Sequence, residues 1–342
     1  MRWVEETVSE ETADRLAQTL SISPILSRFL VARGLTDAES TRSFLRPKLA
    51  ELADPFDLPA LNETVERLIQ ALDAKESVLI VGDYDVDGIT STVILHRILA
   101  ALGNKPTHVT PRRRDEGYGL TRAVLERGLR MTKPPLVVAL DCGTNSAEEY
   151  AFLHEKGIDL LVVDHHQAKT EPPDGPILLN PHLHEDGGEP WRHLCTAGLT
   201  FKLIHGLIKR LREKGSDTAE RILPKDYIAL AALGTIADLV PLRDENRILA
   251  RYGLKHLAHE PGLGLEALIS VSGIDVGSQL EGDDINFRLA PRINACGRLN
   301  KPEVATELLL SEDANACRAL ARQMDDFNVE RRKIEADLTT EA

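Results

Sequence analysis

The sequence predicts an α/β fold in which a parallel β-sheet is flanked by helices. Three short apolar runs, residues 78–81, 136–140 and 158–163, have the length and composition of buried strands, and residues 107–110 form a weaker candidate. Short buried strands that alternate with helices are typical of βαβ units, whose crossover connections are right-handed. We therefore expect a Rossmann-like sheet, preceded by a helical N-terminal segment and followed by a long C-terminal helix.

The segment before the sheet is predicted to be helical and accessory. Thr36 and Glu39 have the spacing of a capping box, and residues 45–59 contain three prolines and form a linker. A helix is expected at 61–74, where four apolar residues share one face: Leu61, Val65, Leu68 and Leu72. A further helix is expected at 90–102, after the first strand.

Helices dominate the rest of the chain. We expect helices at 197–213 and 226–237, a broken helix near 247–258, and a loop-rich stretch with six glycines at 260–299. Residues 313–340 favour a helix that would be about 42 Å long. Such a helix is too long and polar to lie wholly on this core, so we interpret it as a connector.

Composition excludes several classes of protein. The 342 residues are 42% hydrophobic and 28% charged, as in an ordinary globular protein. No apolar run is long enough to span a membrane, the N-terminus lacks the apolar core of a signal peptide, and four scattered cysteines favour a reducing cytoplasm. The phosphate loop, the dinucleotide motif, the zinc-protease motif and the nucleophile elbow are all absent from the sequence.

The net charge of −13 argues weakly against nucleic acid as a partner. However, clustered carboxylates can be neutralised by metal ions, and small basic patches can act locally. The distribution of acids and arginines is therefore more informative than their sum.

Acidic residues follow each of the three strongest predicted strands. Asp83, Asp85 and Asp87 follow the first, Asp141 follows the second, and Asp164, His165 and His166 follow the third. A single acid in such a place is most simply a helix cap. Because the carboxyl ends of parallel strands share one edge of the sheet, three in succession indicate a common site.

The electrostatics of such a cluster favour bound cations. Two carboxylates about 4 Å apart repel by roughly 4 kcal/mol at an effective dielectric constant near 20, so an unneutralised cluster is costly. Mixed carboxylate and imidazole ligands suit Mn²⁺, with Mg²⁺ possible, and two such ions can catalyse phosphoryl displacement. Asp238, at the end of an apolar helix, is a further candidate ligand, although a polar contact at the helix terminus is an alternative.

Several longer motifs carry a family resemblance. Asp-Tyr-Asp-Val-Asp-Gly at 83–88, Asp-Cys-Gly at 141–143 and Asp-His-His at 164–166 resemble the DHH phosphoesterase superfamily. Strings at 116–120, 197–203, 235–242 and 288–299 are similar to its bacterial members that degrade single-stranded DNA from 5′ to 3′. The resemblance covers about residues 20–342.

The resemblance implies specific roles for these residues. The implied metal ligands are Asp85, Asp87, Asp141, His165 and Asp238, with Asp141 shared between two ions. His166 would contact the scissile phosphate and act in catalysis with Asp141 and His165, whereas Asp83 and Asp164 would support the site. Val81 stands where some relatives carry a ligand histidine, and Cys296 where alanine is usual.

The resemblance also implies an activity and partners. The expected reaction is release of 5′-mononucleotides from single-stranded DNA in recombination and mismatch repair, alongside a helicase and a single-strand-binding protein, with no membrane association. Short oligonucleotides, cyclic dinucleotides or pyrophosphate are alternative substrates, and a non-catalytic replication scaffold is an alternative function. The implied division is an N-terminal segment at 1–60, a catalytic domain at 61–300 and a connector at 301–342 leading to a second domain that relatives carry.

Two groups of residues are candidates for binding phosphates. Arg112 and Arg113 precede Tyr118 on a glycine-flanked turn, where they could follow a strand and stack a base. The second group, in the loop-rich stretch, is Arg288, Arg292, Asn294 and Arg298. The alternatives are a solvated loop for the first group and surface ion pairs for the second.

Overall fold

The sheet of the protein has five strands, all parallel. The computed structural model describes residues 7–185 and 187–341. The strands are β1 (Val78–Gly82), β2 (Thr107–Val109), β3 (Leu136–Leu140), β4 (Asp159–Val163) and β5 (Ile177–Leu179), in the order β2-β1-β3-β4-β5. The α/β prediction is confirmed, but β5 was not predicted from the sequence.

Sixteen α-helices surround the sheet in the described ranges. Four precede it: α1 (Glu10–Leu20), α2 (Pro24–Ala32), α3 (Ala38–Leu45) and α4 (Leu61–Asp73). Three alternate with the strands: α5 (Val86–Ala101), α6 (Arg122–Met131) and α7 (Ala147–His154). The rest are α8 (Thr196–Glu213), α9 (Asp217–Arg221), α10 (Ile228–Ala237), α11 (Asp244–His259), α12 (Leu263–Val271), α13 (Gly282–Asp284), α14 (Ala290–Arg298), α15 (Glu303–Leu310) and α16 (Ala314–Glu341).

Alternation along the strands divides the core between the two faces of the sheet. Val78 and Ile80 pack in the larger core with α4, α5, α8 and α10, whereas Leu79 and Val81 pack in a smaller core with α6 and α7. Both faces are covered, so the central strands are buried throughout, as continuous apolar runs require. The strand order reverses direction between β1 and β3, and that switch point is where sheets of this kind bind ligands.

The expected loop at 260–299 is wrong over most of its length. Residues 263–271 form α12, and residues 282–298 are helical through α13, a π-helical turn at Ile285–Leu289 and α14. The glycines there serve close packing: a Cβ on Gly264 would lie 2.3 Å from the carbonyl oxygen of Leu308, and one on Gly297 would lie 2.6 Å from the Tyr84 ring. Pro291 is tolerated because it lies in the first turn of α14.

Other helix boundaries also differ from expectation. Asp37, rather than Thr36, caps α3 by accepting hydrogen bonds from the N–H groups of Glu39 and Ser40. The expected break in the helix near 247–258 is absent, since α11 is continuous.

Helix α16 has the length expected of a connector, and only its first half packs on the body. Cys317, Ala321, Met324 and Asn328 are buried, whereas every residue from 332 to 340 is exposed. Within the described ranges, no helix has both the length and the apolar character needed to cross a membrane.

Candidate metal centre

Acidic side chains from three parts of the chain meet at the carboxyl edge of the sheet. Asp83 and Asp85 lie between β1 and α5 and Asp87 lies in the first turn of α5, which Asp85 caps by accepting a hydrogen bond from the Gly88 N–H at 3.1 Å. Asp141 follows β3, and Asp238 lies at the C-terminus of α10. The three groups are distant from one another in sequence; the parallel sheet brings the first two to one edge, and the packing of α10 against α5 brings Asp238 there.

His165, after β4, lies at the centre of this cluster. Its Nε2 atom lies 3.5 Å from an Asp141 oxygen, 3.6 Å from an Asp238 oxygen and 3.7 Å from an Asp87 oxygen. These separations are longer than hydrogen bonds, so the four groups surround a shared space.

The donor set fits a divalent cation. Ligands bound to one octahedral ion at about 2.1 Å are about 3.0 Å apart when adjacent and about 4.2 Å apart when opposite. The separations around His165 lie between these values. Asp83, Asp85 and Asp141 form a second group, and Asp141, His165 and His166 a third, with the potential ligand atoms of each group within 4.8 Å of one another. Asp141 and His165 each belong to two of the three groups, so the potential ligand groups overlap.

The carboxylates of the cluster carry unneutralised charge. Burial and the nearby charge of Asp85 raise the pKa of Asp83 to about 7, and burial together with Asp87 raises that of Asp238 to about 6. Burial and neighbouring carboxylates also raise the pKa values of Asp87 and Asp141. Neither oxygen of Asp83 has a hydrogen-bond partner among the described residues. Bound cations would relieve this repulsion, which the nearby His166 compensates only in part.

Asp87 is held by the N-terminus of α8, which sequence reasoning did not identify. Its two oxygens accept hydrogen bonds from the N–H groups of Thr196 and Ala197 at 2.8 and 2.7 Å, and the Thr196 hydroxyl donates to Asp141 at 3.1 Å. A helix N-terminus favours a carboxylate through its free N–H groups and its dipole. The string at 197–203 was noted as a motif, but nothing in it signals contact with a residue 109 positions away.

Asp141 is also distinguished by its backbone. Its φ of 62° lies in the left-handed region, which costs a non-glycine residue about 1–3 kcal/mol. The residue is 2% exposed, and its N–H still donates to Val163 on β4. The fold therefore holds a strained residue at the meeting point of two potential ligand groups.

Asp164 contacts the histidine pair rather than the shared space. One of its oxygens accepts from His166 Nδ1 at 2.7 Å and from the His165 N–H at 2.8 Å. Although burial opposes it, the hydrogen bond from His166 lowers the pKa of Asp164 to about 2. The same bond raises the pKa of His166 to about 9, so this imidazole is cationic at neutral pH.

The first basic group, with Arg113 and Tyr118, lies beside the loop that carries Asp83 and Asp85. The guanidinium of Arg113 lies 5.7 Å from the Tyr84 ring, and the Tyr84 ring meets the Tyr118 ring edge-on at 5.9 Å. Tyr118 is 58% exposed, so its ring is available to a ligand. The Arg112 guanidinium lies 3.6 Å from Glu303 and is partly compensated.

The second basic group is divided by the structure. Asn294 and Arg298 line a cavity of about 320 Å³ together with Arg331, and the neighbours of Asp238 in sequence, Ala237 and Leu239, form its other wall. Arg331, on α16, was not identified from the sequence. Arg113, Arg114, Arg298 and Arg331 line an adjoining cavity, which extends the basic surface.

Arg288 and Arg292 are engaged within the protein. Arg292 forms an ion pair with Asp325 at 2.7 Å and donates to the carbonyl groups of Arg288 and Val271. Arg288 lies 3.3 Å from Asp284. The ion-pair alternative therefore describes these two residues in the structure, and Arg292 joins α14 to α16.

Comparison with protein families and curated proteins identifies relatives. The model of the DHH family, N-terminal domain, matches residues 77–235. The single-stranded-DNA-specific exonuclease RecJ of Bacillus subtilis (strain 168) is 37% identical over 346 residues, which cover 100% of this chain and 42% of that protein. RecJ of Haemophilus influenzae is 36% identical, over 96% of this chain and 56% of that protein.

Solved structures give the same similarity. An exonuclease RecJ crystal structure bound to manganese matches with a TM-score of 0.75 and 34% identity, over 86% of this chain and 71% of that chain. RecJ from Thermus thermophilus, in complex with Mn²⁺, matches with a TM-score of 0.80 and 31% identity, over 97% of this chain and 46% of that chain. The chain spans about half the length of the curated relatives it matches.

Proposed function

The chain belongs to the DHH family, within its RecJ group, and on that premise we propose that it is the catalytic part of a metal-dependent exonuclease that degrades single-stranded DNA from 5′ to 3′. The single observation that carries the proposal is the arrangement of three carboxylates around His165 Nε2, at 3.5 to 3.7 Å. Such an arrangement is unfavourable without a cation and is suited to a phosphodiester once cations are bound.

The proposed reaction is hydrolysis of the terminal phosphodiester with release of a 5′-mononucleotide. Two ions of Mn²⁺ or Mg²⁺ would supply an activated water and stabilise the leaving oxygen. The residues proposed to hold them are Asp85, Asp87, Asp141, His165 and Asp238. Thr196 and the start of α8 orient Asp87 and Asp141 for this task.

His166 is proposed to contact the scissile phosphate. Its Nδ1 is occupied by Asp164, so the opposite ring nitrogen is the one that can donate to a phosphate oxygen. A pKa of about 9 keeps the ring cationic at neutral pH. Asp164 orients this histidine, and Asp83 supports the cluster by its charge.

The substrate strand is proposed to lie along the basic surface that adjoins Asp238. Asn294 and Arg298 would hold its phosphates, Arg112 and Arg113 would hold others, and Tyr118 would stack a base. Arg331 extends this surface. Because the basic residues are concentrated here, an overall negative charge does not prevent local binding of an anionic strand.

The organisation of the chain and its partners are part of the proposal. Residues 1–60 would form an accessory segment, 61–300 the catalytic domain, and 301–342 a connector to a second domain of the kind that relatives carry. A single-strand-binding protein and a helicase are proposed partners in a cytoplasmic repair reaction, from the family resemblance alone.

The test is Mn²⁺-dependent release of mononucleotides from a DNA strand labelled first at one end and then at the other. We expect early release of the 5′ label, little activity on duplex DNA, and none with Asp141→Asn. Asp159→Asn is the matched control, because Asp159 lies at the opposite end of β4 and is exposed there. Faster turnover of dinucleotides than of DNA would refute the proposed substrate. Absence of Mn²⁺ binding would favour the alternative of a non-catalytic replication scaffold.

A further inference from the structure

Asn180 lies directly after β5 and is buried, with 1% of its surface exposed. Its Nδ2 donates hydrogen bonds to the Thr144 hydroxyl oxygen and to the His166 carbonyl oxygen, both at 2.9 Å. Its Oδ1 accepts from the His182 N–H at 2.9 Å. Both amide hydrogens are therefore used within the protein.

The orientation of this amide is determined by its backbone partners. A carbonyl oxygen can only accept, so the nitrogen must face His166, and an N–H can only donate, so the oxygen must face His182. Neither aspartate nor leucine, which are close to asparagine in size, could make both contacts with His166 and Thr144. The position therefore requires a donor of two hydrogen bonds.

Asn180 reaches the Asp164–His166 turn by two routes. The first is the direct bond to the His166 carbonyl. The second passes through Thr144, whose side chain accepts from Asn180 while its N–H donates to Asp164 at 3.1 Å. Asp164 in turn accepts from the N–H groups of both histidines. The end of the edge strand is thus connected to every residue of that turn.

We propose that Asn180 is a positioning residue, which acts with Thr144 to hold the Asp164–His166 turn so that His165 stays among its three carboxylates. The inference rests on the proposed metal centre, because its consequence is the affinity of that centre for a divalent ion. Groups that orient metal ligands without binding the metal typically change affinity or activity by about 10- to 100-fold when removed.

The side chain of Asn180 is distinct from the ligands in what it should affect. It contacts the turn from the side of β5 and does not belong to any of the three potential ligand groups. Its removal should lower Mn²⁺ affinity and kcat more than it raises KM for the DNA strand, because the basic surface lies elsewhere and only His166 of this turn is proposed to contact a phosphate. A purely structural role would lower stability alone.

The experiment measures Mn²⁺ binding by calorimetry without DNA, then kcat and KM, for the whole chain and for Asn180→Ala and Asn180→Asp. We expect Mn²⁺ affinity to fall about 10- to 100-fold in both variants. Asn104→Ala is the matched control, because Asn104 also clamps a backbone carbonyl, that of Glu76, at the opposite end of the sheet. Its Mn²⁺ affinity should equal that of the unaltered chain.

A second pair of variants covers the case in which changes at Asn180 prevent folding. Thr144→Val removes the hydroxyl that accepts from Asn180 but keeps the N–H that binds Asp164, and Thr144→Ser restores the hydroxyl. We expect Thr144→Val to lose Mn²⁺ affinity and Thr144→Ser to recover it. Equal Mn²⁺ affinity in all folded variants would overturn the inference, whereas failure of the unaltered chain to bind Mn²⁺ would instead count against the proposed function.

Discussion

Replacing Asp83 by asparagine removes a carboxylate that is fully buried, lacks a hydrogen-bond partner among the described residues and lies beside Asp85. Burial and that neighbour raise its pKa from 3.8 to about 7. A carboxyl group whose pKa is raised in the folded protein favours folding when protonated, and this contribution is lost as pH rises through the folded-state value. The metal-free protein therefore becomes less stable, through this residue, as pH rises towards 7.

The size of the effect follows from the two pKa values. The carboxyl group has a pKa of 3.8 in the unfolded chain and about 7 in the folded protein. The free energy of unfolding should therefore fall by about 2 to 3 kcal/mol between about pH 5 and about pH 8. An asparagine side chain cannot ionise, so the Asp83→Asn variant should escape this loss. Any constant cost of the amide cancels, because only the change with pH is compared between the two proteins.

Denaturant unfolding of both proteins with a chelator present, at each of the two pH values, measures this difference. We expect the stability of Asp83→Asn relative to the unaltered chain to increase by about 2 to 3 kcal/mol between the lower and the higher pH. A difference that is the same at both values would refute the reasoning, since it would mean that Asp83 is not held in an unfavourable charged state.

The other predictions concern the cations and the basic surface. Thr196→Val should lower Mn²⁺ affinity about 10-fold in calorimetry, because Asp141 loses a hydrogen bond. Thr200→Val, on the same helix, should leave Mn²⁺ affinity unchanged, since the Thr200 hydroxyl has no partner among the described residues. The increase in Tm that Mn²⁺ produces should grow from about pH 5.5 to about pH 8, because protons compete for Asp238, whose pKa is about 6; a constant increase would contradict this. Arg298→Ala should raise KM for single-stranded DNA without changing Tm. Arg292→Ala should lower the free energy of unfolding by about 1–3 kcal/mol, because it leaves Asp325 unpaired. The opposite pattern would mean that Arg292 binds the strand and Arg298 stabilises the fold.

Local pattern was sufficient to predict four of the five strands and most residues at the edge of the sheet. The three apolar runs are strands because both faces of a parallel sheet are buried, so that their residues are apolar except for Asp159 at the exposed start of β4. The acids that follow them meet because parallel strands end at one edge, and chain order already specifies which residues come last. These properties depend on neighbours in sequence and on a topology that has few alternatives.

Glycine-rich stretches could not be interpreted in the same way. Glycine permits unusual backbone angles, but it also permits close approach of another element, and the sequence does not distinguish the two. At Gly264 and Gly297 the second reason applies, and the expected loop is a set of helices. The partner in each contact is distant in the chain, so local pattern contains no signal for it.

Which acids and histidines end the strands of this protein could be read from the chain alone, because strand burial and chain order are local properties. How those groups are held, and which arginines are free to bind a ligand, depends on the tertiary structure. The N-terminus of α8 orients Asp87, Asn180 donates a hydrogen bond to the Asp164–His166 turn, and Asp325 forms an ion pair with Arg292. Hydrogen bonds and ion pairs form only between groups that lie about 3 Å apart. Which residues come that close is decided by packing between elements that are distant in the chain, and no local sequence pattern records that packing.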